Sequence, residues 1–472
     1  FTGGRSYYSH PNLRREGFPV IPHQTSATGM QAIPTTGLAQ GVQFLERRGL
    51  LETEEKPVVV CSLGDGSITE GEVSEAFQEA VLHDLPIFYL IQDNSWGISV
   101  SDEEMAAMTP YEFAAGFKGM KRSQVDGADF TASYDAVRRC MNYVRKNRKP
   151  ILLHATCPLL GHHTSGVRSE FYRDEKDWAE HSKLDPIPVL EKQLSSKGIK
   201  EADLKQIDEE ASKYAQECFD KAVASPEPEP ETVNDHVYTP TPITEEKGER
   251  SPKKGKKVVM VDAALHAIQE VMEEDERTLL YGQDVGRRLG GVFREAATLA
   301  EKFGDDRVFN TPIQEAYIIG STVGMSASGA KAFVEVQFCD YIWPGINQLA
   351  TEVAKSCYLS LEKFPVNAVI RVPLGAYGGG GPYHSGSYET SILGIKGIKV
   401  AYPTTAADMK GLMKAAYHDP NPVVMLEHKG LYWSKVPGTK AAQTVEPDRD
   451  YVLPFGKARI ALEAEQDKVD KG

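Results

Sequence analysis

Two kinds of hydrophobic pattern alternate along the first half of the chain. Val58 to Leu63 and Ile87 to Ile91 are short, nearly continuous apolar runs, which are typical of strands buried on both faces. Between these runs, apolar residues recur at helical spacing, at Val73, Ala76, Phe77 and Ala80. A strand, a helix and a strand in this order form a βαβ unit, so we predict that the two strands are parallel.

The same alternation continues in the second half. Strands are predicted at 278–281, 333–336, 366–372 and 423–426, with a helix at 406–418 among the segments between them. Helices that alternate with buried strands favour an α/β fold with mostly parallel sheets. We therefore predict two α/β domains.

A change of composition separates the two halves. Residues 224–231 alternate proline with glutamate, which favours an extended linker, and the basic run 253–257 is interpreted as its solvated end. The predicted boundaries are a first domain at 1–224, a linker at 225–257, a second domain at 258–440 and a final segment at 441–472. The amphipathic segment from Glu201 to Ala224 is interpreted as a packing helix that closes the first domain.

Composition excludes several classes of protein. The 472 residues carry a net charge of −14, which argues against a nucleic acid as a general partner. No apolar run approaches the roughly 20 residues of a membrane helix, and the sequence does not start with a secretory signal. The six cysteines form no CxxC pair, so neither a zinc ribbon nor a disulfide framework is expected. We expect a reducing, cytoplasmic setting without a membrane partner.

Oxygen-bearing side chains follow the first two predicted strands. Asp65 comes directly after one strand and Asn94 follows the next, so the βαβ geometry brings both to the same edge of the sheet. A carboxylate and an amide oxygen suit a hard cation such as magnesium, whose other positions go to phosphate oxygens and water. Gly64 and Gly66 allow close approach of backbone amides to a phosphate. The alternative is that Asp65 only caps the following helix.

A longer pattern around these residues carries a resemblance to a known family. Gly-Asp-Gly-Ser-Ile-Thr-Glu-Gly-Glu at 64–72, followed by Gln-Asp-Asn-Ser-Trp-Gly-Ile-Ser at 92–99, resembles the thiamine-diphosphate signature of 2-oxoacid dehydrogenase alpha subunits. The resemblance implies a Mg²⁺ ion bound by the side chains of Asp65 and Asn94 and by the backbone carbonyl of Trp96. It also implies cofactor contacts from four residues, which are Gly64, Gly66, Ser67 and Gln31. Asp93 stands where the family usually has asparagine.

Two further segments of the first half are similar to the same subunits. Residues 26–34 look like the family's cofactor-facing segment ahead of a packed helix. Residues 161–166 resemble the mobile loop, which implies that His163 reaches the cofactor and leaves the role of His162 undecided. Gly166-Val167-Arg168 replaces the acidic pair of the family's loop, so regulation by loop phosphorylation does not carry over.

The second half resembles the beta subunit of these enzymes from Val261 to Trp433. The matching landmarks stand in order at 281–286, 290–293, 307–315, 335–342, 384–385 and 427–432. Glu315 opens a predicted apolar helix, where we expect its carboxyl to be largely shielded from water. The resemblance implies that Glu315 binds the aminopyrimidine ring and activates the cofactor, and that His384 binds substrate or donates a proton. The alternative for Glu315 is a structural helix-terminal glutamate.

Phe338 and Tyr341 are also expected at the cofactor. The resemblance favours contacts from both rings to the pyrimidine, although an aromatic stripe at this spacing is also typical of an ordinary core.

The combined resemblance implies a transketolase-like fold, with a diphosphate-binding domain followed by a pyrimidine-binding domain. Its activity would be oxidative decarboxylation of a 2-oxoacid by thiamine diphosphate and Mg²⁺, with acyl transfer to the lipoyl group of a dihydrolipoyl acyltransferase. The Gly-His-His-Thr-Ser loop is closer to branched-chain enzymes, so 2-oxoisovalerate is favoured over pyruvate. Neither half holds both ends of the site, so we expect at least a homodimer of fused alpha and beta chains.

Two alternatives stay open. A transketolase-like transferase would share the Gly-Asp-Gly turn and the glutamate but not the His163 loop. A non-catalytic assembly scaffold is suggested because the resembled alpha subunits have a further N-terminal region and the beta subunits a third domain. We expect both regions to be missing from this sequence.

Overall fold

A computed structural model describes residues 12–51, 53–164 and 166–458. Three parts of the predictions lie outside the described residues. They are the start of the predicted first domain at 1–11, Ser165 of the His163 loop, and the end of the predicted final segment at 459–472.

A four-stranded parallel sheet forms the centre of the first half, in the spatial order β1-β2-β6-β5. The strands of this sheet are β1 (Val59–Gly64), β2 (Ile87–Asp93), β5 (Lys121–Asp126) and β6 (Ile151–Thr156). A separate antiparallel pair consists of β3 (Trp96–Gly97) and β4 (Val100–Ser101). The helices are α1 (Ala32–Arg47), α2 (Gly71–Leu82), α3 (Asp102–Met105), α4 (Pro110–Phe113), α5 (Phe130–Asn147), α6 (Glu175–Ser182), α7 (Pro186–Ser196) and α8 (Glu201–Val223).

A six-stranded parallel sheet forms the centre of the second half, in the order β12-β13-β11-β10-β8-β9. The strands, including the antiparallel pair β7-β14, are β7 (Lys257–Val258), β8 (Thr278–Gly282), β9 (Val308–Asn310), β10 (Lys331–Glu335), β11 (Ala368–Leu374), β12 (Lys399–Ala401), β13 (Val423–His428) and β14 (Thr444–Val445). The helices are α9 (Met260–Glu274), α10 (Leu299–Phe303), α11 (Glu315–Ser328), α12 (Trp343–Gln348), α13 (Ser356–Leu359), α14 (Glu389–Leu393) and α15 (Ala406–His418).

The predicted βαβ unit is confirmed. β1 and β2 are parallel, with Val59 opposite Ile87. All four apolar positions predicted to face the sheet from α2 are fully buried. The continuously apolar strands and the single apolar face of α2 therefore pack against each other, as the pattern predicts.

Glycines allow two helices from different halves to pack closely. A Cβ on Gly37 of α1 would lie 2.3 Å from the backbone oxygen of Ser321, and a Cβ on Gly324 of α11 would lie 2.0 Å from the carbonyl of Pro34. A second glycine on each helix faces a side chain of the other helix: a Cβ on Gly41 would lie 2.2 Å from Ser328 Oγ, and a Cβ on Gly320 would lie 2.7 Å from Ile33 Cγ2. The absence of side chains along this α1–α11 seam lets the two backbones meet, which joins the two halves of the chain.

The interpretation of the segment 201–224 as a packing helix is wrong. The helix itself is present as α8, but none of its 23 residues is buried. Ile207, Tyr214 and Phe219 are each more than 60% exposed. An amphipathic pattern shows that one face is apolar but does not specify what covers that face.

The middle of the predicted linker lies against the second half. The Tyr238 hydroxyl donates to the carbonyl of Ile398 at 3.1 Å, and the Asn421 side chain exchanges two hydrogen bonds with the backbone of Thr239. Residues 225–229, in contrast, are exposed and have no regular structure. Within the described ranges, no helix is both long enough and apolar enough to cross a membrane.

Candidate functional site

Asp65 lies at the carboxyl edge of the first sheet, where β1 ends. The residue is 8% exposed, and its Oδ2 atom is buried without a hydrogen-bond partner among the described residues. Asp65 precedes the 3-10 turn Gly66–Thr69 but makes no side-chain capping bond to it. Capping therefore does not account for this carboxylate, and a buried oxygen without a partner fits a cation ligand.

Asp93, at the end of β2, contacts Asp65 and was not singled out by the sequence as a site residue. Burial, together with the neighbouring charge of Asp93, raises the pKa of Asp65 to about 6. Burial alone would raise the pKa of Asp93 as well, but hydrogen bonds from His154 and from the Ser95 amide outweigh it and lower that pKa. The His154 Nε2 atom lies 2.7 Å from Asp93 Oδ2.

The structure brings Asn94, Trp96 and His163 together. The Asn94 Oδ1 atom accepts a hydrogen bond from the Trp96 amide at 3.1 Å. The His163 ring donates to the backbone carbonyl of Trp96, while burial of the ring lowers its pKa. The carbonyl predicted to bind the metal and the histidine predicted to reach the cofactor are thus direct neighbours. His162 instead accepts a hydrogen bond from the Ser169 amide at 3.1 Å.

The residues predicted to hold the diphosphate surround the same edge. Gly64 ends β1, Ser67 is buried, and a Cβ on Gly66 would lie 3.0 Å from the sulfur of Met105. The Gln31 side chain donates to the carbonyl of Ser62 in β1 at 3.1 Å. No group of three or more histidine, cysteine, aspartate or glutamate side chains is arranged to hold a metal within the described residues. A cation here would therefore need ligands beyond the carboxylates, which suits Mg²⁺ with phosphate and water.

A cavity of about 530 Å³ opens beside these carboxylates. Asp65, Asp93 and Ile68 line one wall, and the segment from Asp102 to Phe113 lines the other. This segment contributes apolar side chains together with three acids, and none of the residues that line the cavity is basic. The cavity therefore attracts cations more readily than free anions.

Glu315 opens α11 at the carboxyl edge of the second sheet. The Gln283 side chain, just beyond β8, donates to its Oε1 atom at 3.0 Å. Glu315 is only partly buried, so the expectation of a largely shielded carboxyl is confirmed in part. The neighbouring Ile313 is 83% exposed, because the connection between β9 and α11 runs along the surface.

Two glutamates of α2 reach the second half of the chain. Glu75 accepts a hydrogen bond from the Tyr317 amide at 2.9 Å, and Glu72 accepts one from Asn347 at 2.8 Å. Burial is the main cause that raises the pKa of Glu75 to about 7, and the charges of Glu72 and Glu315 add to it. Glu72 belongs to the Gly-Asp-Gly pattern and Glu75 follows it closely. Their contacts to the other half could not be predicted from local spacing.

His384 lies in an aromatic cluster with Phe338 and Tyr341. Its Nε2 atom is 2.7 Å from the Tyr341 hydroxyl, its Nδ1 atom is 3.1 Å from the Gly380 carbonyl, and its ring meets that of Phe338 edge-on at 4.9 Å. Since a carbonyl only accepts, Nδ1 carries the proton and Nε2 accepts from Tyr341. The Lys429 ammonium lies 4.4 Å from the Phe338 ring and donates to the His384 carbonyl. The predicted residues His384, Phe338 and Tyr341 therefore form one group.

The chain matches two protein families, one in each half. Residues 13–231 match the family described as dehydrogenase E1 component, and residues 256–434 match the transketolase pyrimidine binding domain. These matches agree with the two parallel sheets and assign a transketolase-like α/β fold.

Several similar curated proteins are beta subunits. The chain is 40% identical over 216 residues, 46% of its length, to 58% of the 2-oxoisovalerate dehydrogenase subunit beta 2, mitochondrial, of Arabidopsis thaliana. It is also 40% identical to 60% of the 2-oxoisovalerate dehydrogenase subunit beta of Bacillus subtilis and to 60% of the pyruvate dehydrogenase E1 component subunit beta of Acholeplasma laidlawii, over 43% of its own length in each case. The chain thus spans less than two thirds of the length of these relatives.

Proposed function

We propose that this chain, which joins a dehydrogenase E1 domain and a transketolase-type pyrimidine-binding domain in one polypeptide, is the decarboxylating component of a 2-oxoacid dehydrogenase. The reaction is oxidative decarboxylation of a 2-oxoacid with thiamine diphosphate and Mg²⁺, and the acyl group passes to the lipoyl group of a dihydrolipoyl acyltransferase.

One observation carries this proposal. The chain pairs Asp65, whose buried Oδ2 atom has no hydrogen-bond partner among the described residues, at the edge of one parallel sheet with a hydrogen-bonded glutamate, Glu315, at the edge of the other. Ligands of α/β proteins bind at such edges. A cofactor with a diphosphate at one end and an ionisable ring at the other needs both kinds of group.

The residues of the first half fit the diphosphate and its metal. Asp65 and Asn94 would bind Mg²⁺ through their side chains, and the Trp96 carbonyl would join them when His163 releases it. Gly64, Gly66, Ser67 and Gln31 would contact the diphosphate. When bound, thiamine diphosphate supplies a thiazolium ring that stabilises the carbanion left by decarboxylation.

The remaining residues would hold and move protons. Glu315, positioned by Gln283, would bind the aminopyrimidine ring and exchange a proton with it. His384 and His163 would transfer protons or bind the reacting carboxylate, since each has a defined partner, Tyr341 or Trp96. Phe338 and Tyr341 would face the pyrimidine ring and exclude water from it.

The favoured substrate is 2-oxoisovalerate, and pyruvate is the second choice. The similar beta subunits belong to 2-oxoisovalerate dehydrogenases and to a pyruvate dehydrogenase. The His163 loop favours the branched-chain type, which would give the protein a role in the catabolism of branched-chain amino acids. Selectivity for a single methylene is worth only about 1–3 kcal/mol, so direct comparison of substrates is needed.

The proposal includes a homodimer and a cytoplasmic location. Each chain is 52.0 kDa, so light scattering is expected to give about 104 kDa, twice that mass. The location rests on the cysteines, all six of which are free thiols.

Steady-state assays with an artificial electron acceptor test the activity. We expect turnover of 2-oxoisovalerate, with lower kcat/KM for pyruvate and for the 2-oxoacids derived from leucine and isoleucine. Glu315→Gln should lower kcat by roughly 10²-fold or more, which is the usual contribution of a positioned acid or base. Ketol transfer between phosphosugars without turnover of any 2-oxoacid would instead support a transketolase-like enzyme.

Cofactor binding separates an enzyme from a scaffold. A ligand that binds only the folded state stabilises it by about 2.7 kcal/mol at a hundredfold excess over Kd. Thiamine diphosphate with Mg²⁺ should therefore raise the Tm of the full chain, and Asp65→Asn should abolish the increase. An unchanged Tm for the wild-type chain would support a non-catalytic scaffold.

A further inference from the structure

A second carboxylate lies at the place where the proposed metal would bind. Asp93 contacts Asp65, although the resembled signature usually has a neutral asparagine at this position. Two carboxylates in contact repel one another unless a proton or a cation lies between them. Asp93 therefore adds one negative charge to a site that already contains a buried carboxylate oxygen without a partner.

The structure holds Asp93 firmly in this position. Its Oδ1 atom accepts the Ser95 amide at 3.1 Å, and its Oδ2 atom lies 2.7 Å from Nε2 of His154, which is 3% exposed. The Gln124 side-chain amide lies 3.4 Å from the other ring nitrogen of His154. Since an amide nitrogen only donates, Nδ1 of His154 accepts from Gln124, and the proton on Nε2 points at Asp93. His154 is thus a positioning residue for Asp93.

The surroundings favour a cation. The adjacent cavity of about 530 Å³ is lined by Asp65, Asp93 and the acids of α3 and α4, and none of its lining residues is basic. A site that depended on the diphosphate for its negative charge would not need this concentration of carboxylates. The number of charged ligands is one of the main determinants of the affinity of an oxygen site for a divalent cation.

We propose that Asp93 joins Asp65 in a divalent-cation site that fills before thiamine diphosphate binds and does not require it. This proposal rests on the proposed function only for the identity of the later ligand. Asp93 supplies the second negative charge that the diphosphate would otherwise provide, and His154 keeps its carboxylate directed at the cation.

Titration of the full chain with Mn²⁺ alone tests the proposal, with electron paramagnetic resonance to count free ions. We expect one Mn²⁺ to bind per chain without thiamine diphosphate. Asp93→Asn should raise the Kd for Mn²⁺ at least tenfold, and His154→Gln should raise it less, because the carboxylate stays but loses its donor. Asp102→Asn removes an exposed carboxylate from the same cavity and should change this Kd less than twofold.

A second measurement concerns the affinity for thiamine diphosphate, which the same substitution should not weaken. At saturating Mg²⁺, Asp93→Asn should bind thiamine diphosphate at least as tightly as the wild type, because one negative charge near the diphosphate is gone. A variant that had merely lost its structure would weaken both ligands.

The two proposals fail in different ways. Absence of Mn²⁺ binding to the wild-type chain, or an unchanged Kd in Asp93→Asn, would overturn the cation-first site even if the enzyme decarboxylates 2-oxoacids. Binding of Mn²⁺ as expected, without any effect of thiamine diphosphate, would leave the cation site intact and overturn the proposed function.

Discussion

Gln283 is a neutral residue whose side chain holds Glu315, the carboxyl proposed to activate the cofactor. Its amide nitrogen donates to Glu315 Oε1 at 3.0 Å, and Gln283 itself is only 6% exposed. Removal of this hydrogen bond would leave the Glu315 side chain free to adopt other rotamers.

We predict that Gln283→Ala lowers kcat for the 2-oxoacid roughly tenfold, which corresponds to about 1.4 kcal/mol of lost positioning. The measurement is steady-state kinetics at saturating cofactor. Gln269→Ala is the control, because the side chain of Gln269, on α9, makes an exposed hydrogen bond to Glu273 and none to Glu315. Equal kcat values for Gln283→Ala and the wild type would show that Glu315 needs no such support.

Glu75 gives the stability of the fold a dependence on pH. Burial raises its pKa from 4.5 to about 7, against the opposing hydrogen bond from the Tyr317 amide. Because the pKa in the folded state is higher, folding favours the protonated form. The stabilisation is complete below about pH 4.5 and is lost as the pH rises through about 7.

We predict that Glu75→Gln, whose side chain stays neutral, removes this loss of stability at higher pH. The Tm of the variant minus that of the wild type should increase by roughly 2 °C between pH 5 and pH 8. Thermal unfolding in a pH series checks the result. A difference that remains constant across the series would contradict a raised pKa at Glu75.

Some residues of the candidate site could be identified from the local sequence, and others could not. Asp65 and Glu315 could be predicted, because Asp65 directly follows β1 and Glu315 opens α11 a few residues after β9. The contact of His154 with Asp93 and the contact of Glu75 with Tyr317 depend on how separate elements pack. Such contacts leave no periodic signal in the sequence.

Among the elements, α1 and α11 pack closely along the seam. A Cβ on Gly324 would lie 2.0 Å from the Pro34 carbonyl and 2.1 Å from the Leu38 amide, both of them backbone atoms that cannot rotate away. We predict that Gly324→Ala destabilises the chain by about 2 kcal/mol or more, from overpacking. Gly71→Ala is the control, since a Cβ there has no neighbour within 4 Å and alanine favours a helix.

Urea denaturation measures this difference. Equal stabilities for Gly324→Ala and Gly71→Ala would mean that α1 and α11 can separate at little cost. In that case the close approach of the two helices would not hold the halves together.

Prediction of the elements succeeded where the pattern is local. The strands predicted at 58–63 and 87–91 are present at 59–64 and 87–93, and helices α2 and α15 were also predicted, because burial on both faces or on one face leaves a characteristic pattern. The same reasoning was wrong about the packing of α8, whose apolar face is exposed. The α1–α11 seam was not predicted either, because glycines at helical spacing are also compatible with loops.

At the scale of the whole molecule, the two halves are joined by packing as well as by the linker. Apart from the seam, the Tyr317 hydroxyl donates to Gln40 at 2.7 Å and the Gln348 amide donates to the Met30 carbonyl at 3.2 Å. Both contacts are buried and cross from one half to the other. The similar beta subunits each align with less than half of this chain, and the two family matches fall one in each half.

We therefore predict that cutting the linker leaves the molecule assembled. A protease site inserted between Ser225 and Pro226 lies in an exposed stretch without regular structure, so cleavage there should not disturb either sheet. The two fragments should elute together in size-exclusion chromatography. The same cut in the Gly324→Ala background should release them, because the seam no longer closes. Separate elution of the wild-type fragments would mean that the linker, and not the α1–α11 seam, keeps Asp65 and Glu315 in one particle.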